Sequence, residues 1–271
     1  MKIADLGQID DDILIFGGCY SNLQATHALF DWAQARGIPP ARRIHTGDVV
    51  AYCGQPNETV AALRAGCHHA IAGNCEQQLA AGMPDCGCGF DTGSACDILS
   101  VGWFGYVSRV LDPVHRDWMT DLPDWIVFTH HNRRYGVVHG SAQHVSEFLW
   151  SVDHDDALDR QFDHMATHVG AIDTIIASHS GIAFQRELSG DRCWVNAGVI
   201  GMPPHNGEQA TQFATLRQGQ FAFHSLGYDA QRAADAMRQV GLTQGYDRAL
   251  ISGYWPSEDV LPAALRVVDN G

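Results

Sequence analysis

Four residues with metal-ligating side chains each follow a short apolar run in this chain of 271 residues. This ligand set consists of Asp48, Asn74, His139 and His179. The apolar runs, at 44–46, 69–72, 137–138 and 174–177, are typical of buried strands. Loops at the ends of neighbouring strands line one edge of a sheet, so the four side chains can converge there. One carboxylate, two imidazoles and one amide oxygen suit a divalent transition metal ion, namely Zn, Mn or Fe.

The elements that must position these residues alternate between strands and helices in the first third of the chain. After a strand at 13–16, a helix is expected from Asn22, a good capping residue, to about Gly37. A second helix is expected to begin at Pro56 and to end at Gly66. Such alternation predicts a sheet covered by helices.

The remainder of the chain is predicted to contain one helical region, several strands and a final helix. The helical region covers about 93–122, and the final amphipathic helix covers 230–240. The predicted strands are 125–129, 135–138, 174–177, 183–188, 193–195 and 213–223. Because no internal repeat, long linker or low-complexity tract interrupts the chain, we expect a single domain over residues 1–271.

Six short segments surround the ligand set and the first predicted strand. They are GGCYSNLQA (17–25), GDVVAYCGQPNE (47–58), AGNCE (72–76), VVHGS (137–141), ASHSG (177–181) and NAGVIG (196–201). In order and spacing they resemble the motifs of the calcineurin-like metallophosphoesterases, specifically the bacterial phosphoesterase branch. The resemblance runs from about Ile13 to Gly241 and depends on the combination of segments. It implies an α/β fold: a four-layer α-β-β-α sandwich of two mixed sheets with outer helices.

The resemblance also implies that only half of the family's two-metal site is retained. The ligand set matches all four ligands of the family's second metal. Three ligand positions of the first metal instead hold Gly18, Tyr20 and Gly181, so that only the bridging Asp48 remains there. Because these losses are confined to one metal, the resemblance implies a degenerate first-metal site and one retained ion.

The resemblance also implies that two further positions lie where the family contacts the phosphate group or the leaving group. Cys75 stands where the family has a histidine that contacts the phosphate or protonates the leaving group, and Pro204 replaces an arginine that contacts phosphate. Tyr20 has three possible roles. Its phenol fills the space of the first metal and hydrogen-bonds to Asp48, or it ligates a metal, or it points to solvent; we favour the first. Cys75 and Tyr20 are the predicted catalytic residues.

Composition restricts the class of partner. The chain has 17 basic and 31 acidic residues, a net charge of −14, which disfavours binding to a nucleic-acid backbone. A bound metal reverses the local field, so a small phosphorylated substrate or ligand remains allowed. The first twelve residues are polar and no early apolar run could cross a bilayer, so a cytoplasmic location without membrane attachment is expected.

The eight cysteines are expected to be reduced thiols, because they lack the paired spacing of secreted proteins. Cys86, Cys88 and Cys96 occur in a glycine-rich loop without a fourth ligand at zinc-finger spacing. We therefore interpret them as free thiols in a flexible loop.

Two functions from different classes are compatible with these features. The first is a phosphoesterase that hydrolyses a phosphate mono- or diester with the single retained metal. The second is a pseudoenzyme that binds a phosphorylated ligand or a protein partner, or that only keeps a structural metal. Gly18 and Tyr20 favour the second function, whereas the complete ligand set favours the first.

Overall fold

Buried strands and amphipathic helices build the protein, whose computed structural model describes residues 1–267. The strands in this part are β1 (Ile3–Gln8), β2 (Ile13–Phe16), β3 (Arg43–His45), β4 (His69–Ala70), β5 (Trp125–His130), β6 (Arg133–Val137), β7 (Thr174–Ala177), β8 (Phe184–Glu187), β9 (Cys193–Asn196), β10 (Thr211–Arg217) and β11 (Gln220–Leu226). The α-helices are α1 (Leu23–Ala35), α2 (Pro56–Gly66), α3 (Asn74–Ala81), α4 (Ala95–Val110), α5 (Pro113–Asp121), α6 (Asp155–Val169), α7 (Ala230–Gln239) and α8 (Tyr246–Ser252).

The strands form two mixed sheets. One has six strands in the order β1-β5-β6-β7-β9-β8, and the other has five in the order β11-β10-β2-β3-β4. The β6–β7 and β3–β4 pairs are parallel, which places the carboxyl ends of two neighbouring strands together in each sheet. The hairpins β5–β6 and β10–β11 supply antiparallel pairs.

Alternating side chains make each sheet apolar on both faces. In β2, Ile13 and Ile15 belong to the core between the two sheets, whereas Leu14 and Phe16 belong to a second core. That second core includes buried residues of α1, α2, α4, α7 and α8. A third core joins the outer face of the six-stranded sheet to α6. Because successive strand residues face opposite sides, one buried run serves two cores. The predicted four-layer α-β-β-α sandwich is confirmed.

Helix starts follow the predicted capping residues. The side chain of Asn22 accepts a hydrogen bond from the Ala25 backbone N–H at 3.0 Å, and Pro56 is the first residue of α2. The predicted helical region at 93–122 is two helices, because the chain leaves helical geometry before Pro113.

Some predicted elements differ from the structure. The strand expected at 213–223 is a hairpin, in which Gln218 (φ 50°) and Gly219 (φ 76°) form a tight turn between β10 and β11. The strand expected at 69–72 contains only His69–Ala70. The pattern predicts no element at β1 or at α6. Strand β1 is a mostly exposed edge strand of mixed composition, so no apolar run marks it in the sequence.

Within residues 1–267, no helix is both long and apolar enough to cross a membrane. A single domain over residues 1–271 stays a prediction, and residues 268–271 lie outside the described part of the chain.

Candidate metal centre

The ligand set lies where the two sheets meet at the ends of four strands. Asp48 follows β3 and Asn74 begins α3 just after β4, both from the five-stranded sheet. His139 follows β6 and His179 follows β7, both from the six-stranded sheet. All four side chains are buried. Each sheet therefore contributes two ligand-type residues to one interior point.

The Nε2 atom of His139 is the centre of this arrangement. It lies 3.3 Å from Asp48 Oδ2, 3.1 Å from Asn74 Oδ1 and 3.0 Å from His179 Nδ1. Donor atoms about 2.0–2.2 Å from one ion lie about 2.8–3.6 Å from their neighbours in octahedral or tetrahedral coordination. The three distances from His139 Nε2 are therefore those between neighbouring donor atoms of a coordination shell.

The two imidazoles are oriented by backbone carbonyl groups. His139 Nδ1 lies 2.7 Å from the Thr46 carbonyl oxygen, and His179 Nε2 lies 3.3 Å from the Cys88 carbonyl oxygen. Because a carbonyl oxygen can only accept, these two nitrogens carry the hydrogen atoms. The lone pairs of the neutral rings are therefore on His139 Nε2 and His179 Nδ1, which face the centre.

The amide and the carboxylate are oriented in the same way. Asn74 Nδ2 donates to the Cys86 carbonyl oxygen at 2.9 Å, which turns Oδ1 towards His139. The Cys75 backbone N–H donates to Asp48 Oδ1 at 3.2 Å, which leaves Oδ2 towards the centre. Each side chain of the ligand set therefore has one atom held by a hydrogen bond away from the centre and one acceptor atom that faces the centre.

This arrangement of acceptors fits a cation. The Nε2 lone pair of a neutral His139 faces three other acceptor atoms, which repel it unless a positive charge lies among them. A protonated His139 can direct its single Nε2–H to only one of the three. A metal ion satisfies all four acceptors together, so these residues fit a divalent transition metal.

The charges of the metal-free centre follow from burial and proximity. Burial opposes ionisation of Asp48, but the neighbouring His139 and then His179 lower its pKa to about 2. Burial also opposes protonation of His139, and the Asp48 carboxylate outweighs it and raises the His139 pKa. Burial, followed by the charge on His139, lowers the pKa of His179 to about 3. The Asp48 carboxylate, 3.3 Å from His139 Nε2, therefore favours the protonated form of His139 when no cation lies between them.

Glu76 is a supporting residue that the sequence interpretation missed. Its buried carboxylate accepts backbone N–H groups from Asp48 at 2.7 Å, Val49 at 2.9 Å and Gly73 at 2.8 Å. These bonds hold Asp48 in the left-handed region at φ 62°. Burial, then the Asp48 charge, raises the pKa of Glu76 to about 7. A glutamate three residues after the N-cap residue, here Gly73, is the signal of the glutamate half of a capping box.

Gly18 and Tyr20, two positions that the resemblance assigns to ligands of a first metal, lie against each other. The Tyr20 ring folds back over Gly18, so a Cβ on Gly18 would lie 2.8 Å from Tyr20 Cε2 and closer still to Cζ. Tyr20 is buried, as predicted for a filler, but its phenol makes no hydrogen bond to Asp48. That part of the prediction is wrong, because the only bond between the two residues is from the Tyr20 backbone N–H to the Asp48 carbonyl oxygen at 3.3 Å.

A pocket opens next to His179 and is also lined by Tyr20 and Gly181. Six of its fifteen lining residues have large aromatic side chains: Tyr20, Tyr52, Phe90, Phe148, Tyr246 and Trp255. None of the described residues that line it is Lys, Arg, Asp or Glu. Phe148 packs on His179 with ring centroids 4.3 Å apart. The pocket is thus apolar and uncharged up to the edge of the ligand set.

The cysteines near the centre are of two kinds. Cys75 is buried and does not line the pocket, and burial, then the charges of Asp48 and Glu76, raises its pKa well above the usual range. Cys86 and Cys88 are joined by a disulfide bond, so the prediction of free thiols is wrong for these two. Cys96 is free, as predicted.

A second group of metal-binding side chains lies at the surface. Ligand atoms of Asp10, His130 and His131 are within 4.8 Å of one another, and Asp10 and His131 are exposed. This surface group shares no residue with the ligand set and could contribute to bound metal.

Comparisons with known proteins establish the fold. No family model matches the sequence, and no curated protein matches it either. The metallophosphoesterase from Sphaerobacter thermophilus is 18% identical, with 90% of this chain and 100% of that chain covered and a TM-score of 0.68. A hypothetical protein from Pyrococcus horikoshii OT3 is 17% identical, with 89% and 98% covered and a TM-score of 0.73. The chain therefore has the metallophosphoesterase fold, and the predicted resemblance is confirmed at that level.

Proposed function

We propose that this protein is a metal-dependent phosphoesterase that hydrolyses a phosphate mono- or diester with one divalent transition metal ion. The ligand set would hold the ion, which is Mn, Zn or Fe. The observation that carries this proposal is the position of His139 Nε2, within 3.0–3.3 Å of three inward-facing acceptor atoms. The four acceptor atoms repel one another at these distances, and a cation bound among them removes that repulsion.

The ion, when bound, supplies Lewis-acid activation of the phosphoryl group and of water. The protein supplies position and charge. The Asp48 carboxylate compensates the charge of the ion, and the carbonyl oxygens of Thr46 and Cys88 keep both imidazoles in the tautomer that presents a lone pair. The aromatic pocket beside His179 would exclude water and hold the organic part of the substrate.

The two predicted catalytic residues, Tyr20 and Cys75, can take few catalytic roles. Burial, then the Asp48 charge, raises the pKa of Tyr20 and of Cys75, so both keep their protons at neutral pH. They would therefore act as hydrogen-bond donors near the leaving group and not as bases. Tyr20 lines the pocket and is the better placed of the two.

The substrate would be small and would carry an uncharged, apolar group. No Lys or Arg occurs among the described residues that line the pocket, so the ion alone would balance the phosphate charge. The net charge of −14 disfavours nucleic acids.

A catalytically impaired pseudoenzyme is the second candidate function. It is favoured by the Tyr20 ring over Gly18, which occupies the place where a first-metal ligand would project. Such a protein would use the same single ion to bind a phosphorylated ligand or a protein partner.

The test combines metal binding with activity. Metal-free protein is titrated with Mn²⁺, bound ion is counted after gel filtration, and hydrolysis of p-nitrophenyl phosphate and bis(p-nitrophenyl) phosphate is measured. We expect one bound ion and at most slow metal-dependent hydrolysis of these aryl substrates, both lost in Asp48→Asn and His179→Ala. His27→Ala, an exposed histidine on α1, is the matched control and should change neither. Metal binding without hydrolysis of any phosphoester would favour the pseudoenzyme, and absence of binding would refute both functions.

A further inference from the structure

We propose that Cys86 and Cys88 form a reversible redox site that sets the affinity of the ligand set for its metal ion. In the disulfide state the protein would hold the ion tightly, and in the dithiol state it would hold the ion weakly. This inference rests on the proposed function only in that the ligand set binds an ion.

The two cysteines orient two of the four ligands through their backbone carbonyl groups. The Cys86 carbonyl oxygen accepts from Asn74 Nδ2 at 2.9 Å, and the Cys88 carbonyl oxygen accepts from His179 Nε2 at 3.3 Å. Asn74 Nδ2 also lies 3.4 Å from Cys88 Sγ. Half of the ligand set therefore depends on the geometry of this three-residue segment.

The disulfide bond constrains that geometry. The segment lies in the loop between α3 and α4, which has no regular secondary structure to hold it. Gly87 and Gly89 have φ angles of 58° and 75°, values that leave the backbone little intrinsic preference in glycine. Because the disulfide closes a small ring across Gly87, it limits the orientations that the two carbonyl groups can adopt. Without the bond, metal binding would have to order this segment at an entropic cost.

A second contact links the same loop to the centre. Phe90 stacks on Phe148 at 6.0 Å between ring centroids, and Phe148 packs on His179 at 4.3 Å. Movement of the loop would therefore disturb both the hydrogen-bond acceptor and the packing of His179.

The redox step requires an external dithiol. A thiolate of the dithiol attacks one sulfur of the disulfide, forms a mixed disulfide and releases the other cysteine as a thiol. The second thiol of the reagent then closes its own disulfide and releases the remaining cysteine. Two electrons and two protons pass to Cys86 and Cys88. The neighbouring Asp85 and Gly89 are exposed, so the segment borders solvent although both sulfurs are buried. Disulfides in cytosolic proteins are usually of this transient, redox-sensing kind.

The experiment measures metal affinity in both redox states. One sample is kept oxidised, and another is reduced with dithiothreitol and desalted without oxygen. Alkylation and mass spectrometry verify two additional thiols, and the dissociation constant for Mn²⁺ is obtained from the electron paramagnetic resonance signal of the free ion. Mn²⁺ is chosen because it has little affinity for thiolates. We expect reduction to weaken binding by about tenfold, the lower range for loss of groups that orient metal ligands.

Cysteine variants test whether the Cys86–Cys88 disulfide, and not another cysteine, causes the change in Mn²⁺ affinity. Cys86→Ser/Cys88→Ser should bind Mn²⁺ as weakly as the reduced protein and should not respond to dithiothreitol. Cys193→Ser, a buried free cysteine on β9, should keep the response of the parent. Equal affinity in both redox states, or tighter binding after reduction, would overturn this inference while leaving the proposed function intact. Failure of both states to bind Mn²⁺ would overturn the proposed function together with it.

Discussion

The Tyr20 ring lies directly over the α-carbon of Gly18. A Cβ on Gly18 would lie 2.8 Å from Tyr20 Cε2, a distance that real Cβ atoms do not tolerate. Gly18 does not have a positive φ, so the ring and not the backbone excludes a larger residue there. Residues 18 and 20 are therefore coupled, because the Tyr20 ring in this position leaves room only for glycine at residue 18.

This coupling predicts the outcome of restoring the first-metal site. Gly18→Asp alone should destabilise the protein, since the new side chain collides with Tyr20. Gly18→Asp/Tyr20→His should recover much of that loss, because the replaced ring no longer lies over residue 18. Thermal unfolding of the two variants measures the difference. A double variant that is less stable than the single variant would contradict the coupling.

Adding Gly181→His completes the restored ligand set and should raise bound metal towards two ions per chain. Gly181 has φ 77°, so backbone strain at a histidine there would destabilise the protein by on the order of 1–3 kcal/mol. The space itself is sufficient, as the nearest atom to a Cβ is Trp255 Cζ2 at 3.4 Å. Elemental analysis and phosphodiester hydrolysis of the folded triple variant test this. If it binds no second ion, the pocket has been remodelled and the pseudoenzyme becomes the better explanation.

The parent protein is predicted to hold at most one tightly bound ion at the ligand set. The test uses His131→Ala as background, which removes one member of the surface group Asp10, His130 and His131. In that background Asn74→Ala should abolish the remaining binding. Two ions that survive gel filtration of the His131→Ala protein would refute a single-ion centre.

Turnover on generic aryl phosphates is predicted to be weak or absent. Loss of one group that stabilises developing charge costs on the order of 10²–10³ in rate, and several such groups are missing here. Steady-state hydrolysis of p-nitrophenyl phosphate with saturating Mn²⁺ provides the measurement. Fast, metal-dependent hydrolysis that disappears in Asn74→Ala would show that one ion is sufficient.

Glu76→Gln is predicted to destabilise the protein and to weaken metal binding. The carboxylate accepts three backbone N–H groups, and the amide that replaces it offers one acceptor oxygen and turns donors towards the others. A cost of about 1–3 kcal/mol in the free energy of unfolding is expected for leaving buried donors unpaired. Urea unfolding measures it, and Glu208→Gln at an exposed position serves as control. Unchanged stability would mean that these bonds do not hold Asp48.

Metal affinity is predicted to fall as the pH is lowered. The ion and a proton compete for His139, whose pKa is raised by Asp48, whereas the His179 pKa of about 3 keeps that ring neutral. Above the His139 pKa the affinity should be nearly constant, and below it the affinity should fall about tenfold per pH unit as one proton is displaced for each ion. Mn²⁺ titrations between pH 8 and pH 5.5 measure the profile. A flat profile across this interval would contradict the role of His139.

Local patterns in the chain are sufficient to predict several of the strands and to single out the four residues of the ligand set, whereas the four-layer sandwich is implied by the resemblance of the motifs. The apolar runs at 13–16 and 174–177 correspond to β2 and β7, and the ligand-type residues follow such runs. These features are local, because strand periodicity and strand-end position depend on neighbouring residues alone. The same patterns miss β1, which has mixed composition and lies largely exposed at a sheet edge.

Which atoms face the centre is decided by segments that are distant in the chain. The hydrogen bond from His139 to the Thr46 carbonyl joins residues 93 positions apart, and that from His179 to the Cys88 carbonyl joins residues 91 positions apart. The collapse of Tyr20 onto Gly18 likewise depends on a left-handed backbone at Tyr20, φ 51°, which the surrounding packing must stabilise. No periodicity or motif contains such information, because it arises only when the two sheets and the Cys86–Cys88 loop pack against one another.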